Sequence, residues 1–384
     1  MLVGASPYLD CHCGTCGEGT ASIPCPNQTR NICDGVDVVE LEPLYDNGLC
    51  ALEEKGGLSQ FQYFKNEYLI ALDGTESHSS HNIHCSNCTV KHHKNGQVTY
   101  SHAVLCASIV SPDIKEAVAL VPEFITPQDG HKKQDCENAA VKRWLVKHGA
   151  HYRRFNPTIL GDDLFSRQSI CEAILEAGYN FILVCKPNSH KTLYEYLSGV
   201  VIETALVKVR LKQQYKTYCY QYRFMNQVPI RDGKDALLVN WVEMLVLEES
   251  TGKVIHRNSF VTNRTIDQDT VHKIACAGRA RWHLENENNN TLKTKGYNFE
   301  HNFGHGKKNL SNVLASLALV AFLYHTVMNI ADALYIQAKK AHGSRVNFFN
   351  TIKAATSLLI FRSWDSMMEY LTDPPDLSPK TGAL

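Results

Sequence analysis

The chain carries no surplus of either charge: 39 Lys and Arg face 39 Asp and Glu over 384 residues. A general field for polyanions is therefore excluded, and contacts to nucleic acid have to come from local basic patches. No G-x-x-x-x-G-K-[ST] loop occurs, so nucleotide hydrolysis has no support. No G-x-S-x-G nucleophile elbow occurs either. Near the start, no basic segment precedes an apolar run and a small-residue cleavage site, which leads us to expect a cytoplasmic protein. The fourteen cysteines lack the spacing of a compact disulfide framework. Cys106, Cys171 and Cys185 sit inside apolar runs, as buried free thiols do in a reducing compartment. An apolar run, Leu310 to Val327, is interrupted by Ser311, Asn312, Ser316 and His325, so a buried core helix is expected there and no membrane partner.

What is present is alternation of strands and helices. Residues 1–66 form a cysteine-rich segment with Cys11, Cys13, Cys16, Cys25 and Cys33 among Gly, Pro and Asn. It reads as a further metal site or as a loose, truncated leader. Residues 67–189 read as the first part of a core. Three strands are expected at Tyr68–Leu72, Gln97–Val110 and Ala117–Ile125. A helix follows over Gln134–His148, ended by Gly149; then come a strand at Pro157–Gly161, a helix capped by Ser166, and a strand at Phe181–Val184. Residues 190–265 break the alternation with four successive strands and read as a mostly β insertion. Residues 266–331 hold a long helix, a Gly/Asn/His-rich loop with His301, His305 and Lys307, and the apolar helix; residues 332–384 end in one amphipathic helix over 345–370 and a proline-bearing tail. The fold class is α/β: a mixed sheet with helices on its faces.

Three acids stand out by position. Asp73 closes the first strand, Asp162 follows the fourth, and Glu285 rides the long helix four residues after Arg281, on the same face. If the first and fourth strands are neighbours, their ends bring two carboxylates together, and a helix crossing the sheet can add the third. Hard oxygen ligands of this kind suit Mg²⁺ or Mn²⁺, as a pair of ions working on a phosphate. Taken singly, each acid reads equally well as a turn, a cap or a surface charge; Asp73-Gly74 is an ordinary turn pair. Asp163 and Glu287 are adjacent rivals, less well placed after the strand and after the arginine.

L-D-G-T at Leu72–Thr75, L-G-D-D-L-F-S at Leu160–Ser166 and R-W-H-L-E-N at Arg281–Asn286, in that order, resemble the three acidic motifs of DDE transposases, closest to the bacterial insertion-sequence-4-like group. The resemblance spans Glu67 to Val327. It implies an RNase H-like catalytic core, metal-dependent cleavage at transposon ends and strand transfer into target DNA. It also implies Asp73, Asp162 and Glu285 as Mg²⁺ ligands, a homodimer or larger assembly on DNA, and a nucleoid-associated protein. Arg281 matches the family's arginine, a contact to transposon-end DNA. Two positions depart: Gly278 stands where the family has tyrosine, and Leu292 where it has lysine, with Lys293 one step late. A nuclease that cuts without joining, or an inactive DNA-binding remnant, are the alternatives.

Two further groups are legible. Cys85 and Cys88 with His84, His92 and His93 nearby have zinc-like spacing, with His92 the candidate third ligand. Lys132, Lys133, Lys142, Arg143, Lys147, Arg153 and Arg154 make the first helix and its exit basic, a candidate track for a DNA backbone, or a solvated helix face.

Overall fold

The structure, a computed structural model, describes residues 24–127, 136–211 and 216–374, with side chains 208–216 left aside. Cys11, Cys13, Cys16, Lys132, Lys133 and the end of the tail lie outside the described residues. The chain divides into two compact units: Leu58–Asn289, and Met1–Gly57 together with Asn290–Leu384.

The first unit is built on one mixed sheet. Its strands are β1 (Leu69–Ser80), β2 (Thr89–His92), β3 (Val98–Ser111), β4 (Ile114–Ala119), β5 (Glu123–Ile125), β6 (Thr158–Gly161), β7 (Asn180–Val184), β8 (Glu203–Leu211), β9 (Lys216–Pro229), β10 (Leu238–Glu248) and β11 (Val254–Thr262). They run in the order β2-β3-β1-β6-β7-β11-β10-β9-β8, with β4 and β5 also pairing with β3. β1, β6 and β7 are parallel, and the outer pairings are antiparallel. Leu69, Ile70, Ala71 and Leu72 are all buried, the unbroken apolar run of a strand covered on both faces. Helices α1 (Glu137–Tyr152), α2 (Gln168–Glu176), α3 (Lys191–Ser198) and α4 (Val271–His283) flank the sheet. The arrangement is α/β and compatible with an RNase H-like fold. The four strands expected as an insertion are there, and they extend the same sheet, since β11 pairs with β7.

Several local expectations are corrected. β1 does not stop at Asp73; it runs to Ser80 because β3 continues beside it, so Asp73-Gly74 is mid-strand and not a turn. Helix α1 continues past Gly149 to Tyr152, anchored by Trp144 donating to the Val121 carbonyl at 2.8 Å. The stop falls instead on Asn156, which takes the left-handed conformation at φ 45°. Ser166 does not cap α2: its hydroxyl donates to the Asp163 carbonyl and lies 2.7 Å from His190 Nε2.

One ion pair locks the base of the sheet. Arg264 pairs with Glu67, donates to Thr158 Oγ1 at 2.9 Å and lies over the Phe64 ring at 4.2 Å. Both charged side chains are largely covered, so removing one strands the other. Arg264→Ala is expected to lower unfolding stability by about 2 kcal/mol, read from urea denaturation; a change within experimental error would mean that the pair holds nothing.

The second unit is helical. Helices Pro26–Gly35 and Glu42–Glu54 fill part of the segment expected to be loose. The Asp34 carboxylate accepts the amides of Lys307, Lys308, Asn309 and Leu310, which start the apolar helix Leu310–Ala331. That helix is long and apolar enough to cross a membrane by length and composition, and half of its most apolar window is buried in the protein. Tyr45 donates its hydroxyl to the Ser316 carbonyl at 3.1 Å on its covered side. The single helix expected over 345–370 is two, Arg345–Leu358 and Trp364–Thr372, packed with Ala333–Ala341 around Tyr335, Phe348 and Met368. The break between them has the Ser363 hydroxyl accepting the Ser366 amide, a new helix start.

Candidate functional site

The site lies at the end of the parallel strands. Ala71 and Leu160 are the last paired residues of β1 and β6. Asp73 and Asp162 each follow by two residues, so adjacent strands, about 4.8 Å apart, carry the two carboxylates level with each other. Helix α4 packs across β1, β3, β6 and β7 and delivers the third acid. Its start is set by Asp267, whose carboxylate accepts the amides of Asp269 and Thr270. Its end is unusual: from Leu284 to Asn289 the backbone winds as a π-helix, and Glu285 sits in that turn. Such wider turns are frequent at functional sites. Here the turn coincides with Asn286, Asn288 and Asn289, which are poor helix formers.

Side chains join these elements. Arg281 Nη1 lies 3.4 Å from Asp73 Oδ1 and its Nη2 lies 3.6 Å from Glu285 Oε2. Asn289 donates to Asp73 Oδ2 at 3.0 Å. The Asp162 carboxylate accepts the Leu164 amide at 2.9 Å. The adjacent acids are directed elsewhere. Asp163 accepts the Lys186 amide at 2.6 Å and the Ser189 hydroxyl at 2.5 Å, tying down the loop after β7. Glu287 faces Lys115 at 3.8 Å. Geometry therefore separates each acid of the triad from its neighbour in sequence.

A fourth carboxylate, not singled out from the sequence, completes the group. Glu137 opens α1 and lies against Gly74, where a β-carbon would come within 2.3 Å of its Cδ. The contact is made by the flexible end of the Glu137 side chain, which a larger residue at 74 would push aside. In the sequence Glu137 looks like any acid in a first helical turn, favoured by the helix dipole.

Electrostatics mark the cluster as short of positive charge. Burial pushes Asp73 up to about 6; Arg281 opposes this, Asp162 and Glu285 add to it, and Asn289 opposes it. Burial, then the charges of Asp162 and Asp73, push Glu137 up to about 7. The donor set fits a hard divalent cation. Among the described residues these acids do not bring their oxygens into one group mutually within 4.8 Å. Arg281 stands between Asp73 and Glu285, and the Glu285 side chain is 52% exposed, free to turn inward.

The sign of the pH effect follows. Ordinary carboxylates titrate near about 4, so Asp73 and Glu137 hold protons more tightly folded than unfolded. Their contribution to stability is present at low pH and falls as pH rises from about 4 to about 7. A cation relieves that loss. Mg²⁺ is therefore expected to raise the melting temperature more at about pH 8 than at about pH 5, and less in Asp73→Asn. Equal shifts at both pH values would contradict the assignment.

The basic track is altered. Arg143 binds Glu123 at 2.6 Å and donates to the Phe124 carbonyl, and Lys147 lies 2.9 Å from Glu123. Both pair with a buried acid, and the Lys147 side chain is half exposed. Arg153 donates to the Ala177 carbonyl. Lys293 belongs to the other unit, where it pairs with Glu300 at 2.8 Å, and Leu292 is fully buried.

A second cluster, of different chemistry, could hold a metal ion: the ligand atoms of Cys85, Cys88 and His102 lie within 4.8 Å of one another. His92 is corrected by this, because it is exposed on β2, away from the thiols. His84 stacks on Tyr100, and His93 bonds Thr99. His102 comes from β3, fourteen residues past Cys88. The signal was a histidine within the apolar stretch His102–Cys106 of a strand, a place for a satisfied core residue or a ligand.

No family model matches the chain, and no curated protein matches it.

Proposed function

We propose that this chain is a DNA transposase of the DDE kind, cutting DNA at transposon ends and joining the freed 3′-hydroxyl to target DNA. The observation that carries the reading is the meeting of Asp73, Arg281 and Glu285, with 208 residues separating the first two in sequence, beside Asp162. Three motifs that resemble one family in order thus meet at one end of one sheet.

In this reading Asp73 and Asp162 hold Mg²⁺ or Mn²⁺, and Glu285 completes the ligand set. Bound in pairs, such ions activate the attacking oxygen and stabilise the leaving one. Arg281, lying between two carboxylates, is placed to exchange one of them for a phosphate oxygen of the DNA end. Asn289 orients Asp73 through its amide.

The test uses donor DNA cut from the two flanks of the gene, where a transposon would carry its inverted repeats. With Mg²⁺, the purified protein is expected to cut at the repeat boundary and to insert pre-cut 3′-hydroxyl ends into plasmid. Cutting without insertion would leave a nuclease, and binding without cutting would leave an inactive remnant.

A further inference from the structure

We infer that Cys85, Cys88 and His102 form a structural zinc site, independent of the acidic centre and of the transposase reading. The argument is metric. Zinc takes thiolate sulfur at about 2.3 Å and imidazole nitrogen at about 2.0–2.1 Å in a tetrahedron. Those bond lengths set ligand-to-ligand edges of about 3.8 Å for S···S and about 3.6 Å for S···N. The Cys85 and Cys88 sulfurs are 3.8 Å apart, and His102 Nε2 lies 3.3 Å from one and 3.4 Å from the other. A disulfide, with sulfurs about 2.05 Å apart, does not describe this pair. The Cys85 amide also donates to Cys88 Sγ at 3.3 Å, a contact that favours the thiolate form a metal needs.

The donor types select the ion. Two thiolates and an imidazole suit zinc and disfavour Mg²⁺ or Ca²⁺, which take oxygen. The trio supplies three of four tetrahedral corners; a water or a further side chain supplies the last. His102 pairs across the sheet with His78, four residues along β3 from Cys106, the partner of Asp73. At about 3.3 Å per residue this places the two centres roughly 13 Å apart along the strand. Zinc here does not enter the chemistry at the acids. It fastens the segment between β1 and β2 onto β3, where Cys88 and His102 are buried.

Full-length protein, purified under reducing conditions and dialysed against metal-free buffer, is expected to retain about one zinc per chain by elemental analysis. Cobalt loaded in its place should give the sulfur-to-metal absorption of two thiolates. Cys88→Ser and His102→Ala should each lose the ion. His92→Ala and a Cys11→Ser/Cys13→Ser double variant should keep it, which separates this site from the N-terminal cysteines. Wild-type protein that retains no zinc and takes up no cobalt would overturn the assignment, whether or not the variants fold. Metal lost in the Cys11/Cys13 double variant but kept in Cys88→Ser would overturn it too.

Discussion

On the proposed transposase reading, Asp73→Asn, Asp162→Asn and Glu285→Gln are each expected to reduce DNA strand cleavage by on the order of 10³-fold or more while leaving DNA binding within a few-fold. The size follows from the several kcal/mol that a metal centre supplies to a phosphoryl transition state, at about 1.4 kcal/mol per decade. Asn and Gln keep shape and hydrogen bonding but remove the charge that grips a cation. Asp163→Asn is the matched control, because Asp163 is engaged with the Lys186 amide and Ser189. It should cut within about ten-fold of wild type at moderate temperature, with a lower melting point from the loosened loop. Full cleavage by any of the three triad variants would remove that residue from the site, and loss confined to Asp163→Asn would move the centre by one residue.

The second large effect concerns Gly278, where the resembling family has tyrosine. Helix α4 packs so close to the sheet that a β-carbon here would stand 2.7 Å from Phe260 Cε1 and 3.0 Å from Ile182 Cγ2. Both neighbours are buried ring and branched carbons in β11 and β7. Gly278→Ala is expected to cost about 1–3 kcal/mol of stability through overpacking. Gly278→Tyr should fail to fold or lose well over about 3 kcal/mol. Adding Phe260→Leu to Gly278→Ala should recover part of the loss, since the pair shares one contact. Urea melts of the three proteins decide it; a Gly278→Tyr protein as stable as wild type would mean that the helix stands further off. The departure from the family is thus one of packing: with no side chain at 278, Phe260 fills the space.

Much of this architecture was legible in the chain. Most strands of the sheet unit announce themselves by unbroken apolar runs, as at Leu69–Leu72, or by their turn residues, though β2 was not foreseen and the strand expected over Ala117–Ile125 is two, β4 and β5; the sequence left the pairing of β1 with β6 as one possibility, and it is the one adopted. Boundaries were harder. Gly149 looked like a helix stop, yet its neighbours Trp144 and Tyr152 pack on the same buried face and carry the helix onward. The triad acids were found by their order along the chain, one after each of two apolar strand runs and one on the later helix, although Asp73 proves to lie inside β1 and Glu285 in a π turn. Glu137 and His102 were missed for the opposite reason. Each occupies an unremarkable local setting, a first helical turn and a strand interior, and gains its meaning only from partners distant in sequence. Cys85 and Cys88 were found, and their nearest histidines were the wrong ones: β2 and β3 fold back so that His102, not His92, meets the thiols.

The proposed account rests on a cation held where β1 and β6 stop pairing, between Asp73 and Asp162. Diffraction from crystals soaked in Mn²⁺, recorded for its anomalous signal, tests this most directly. The expected result is a peak touching both Asp73 and Asp162, with the Glu285 side chain turned inward beside it. A well-ordered map with no manganese at those carboxylates, or with Arg281 still lodged between Asp73 and Glu285 at saturating metal, would contradict it.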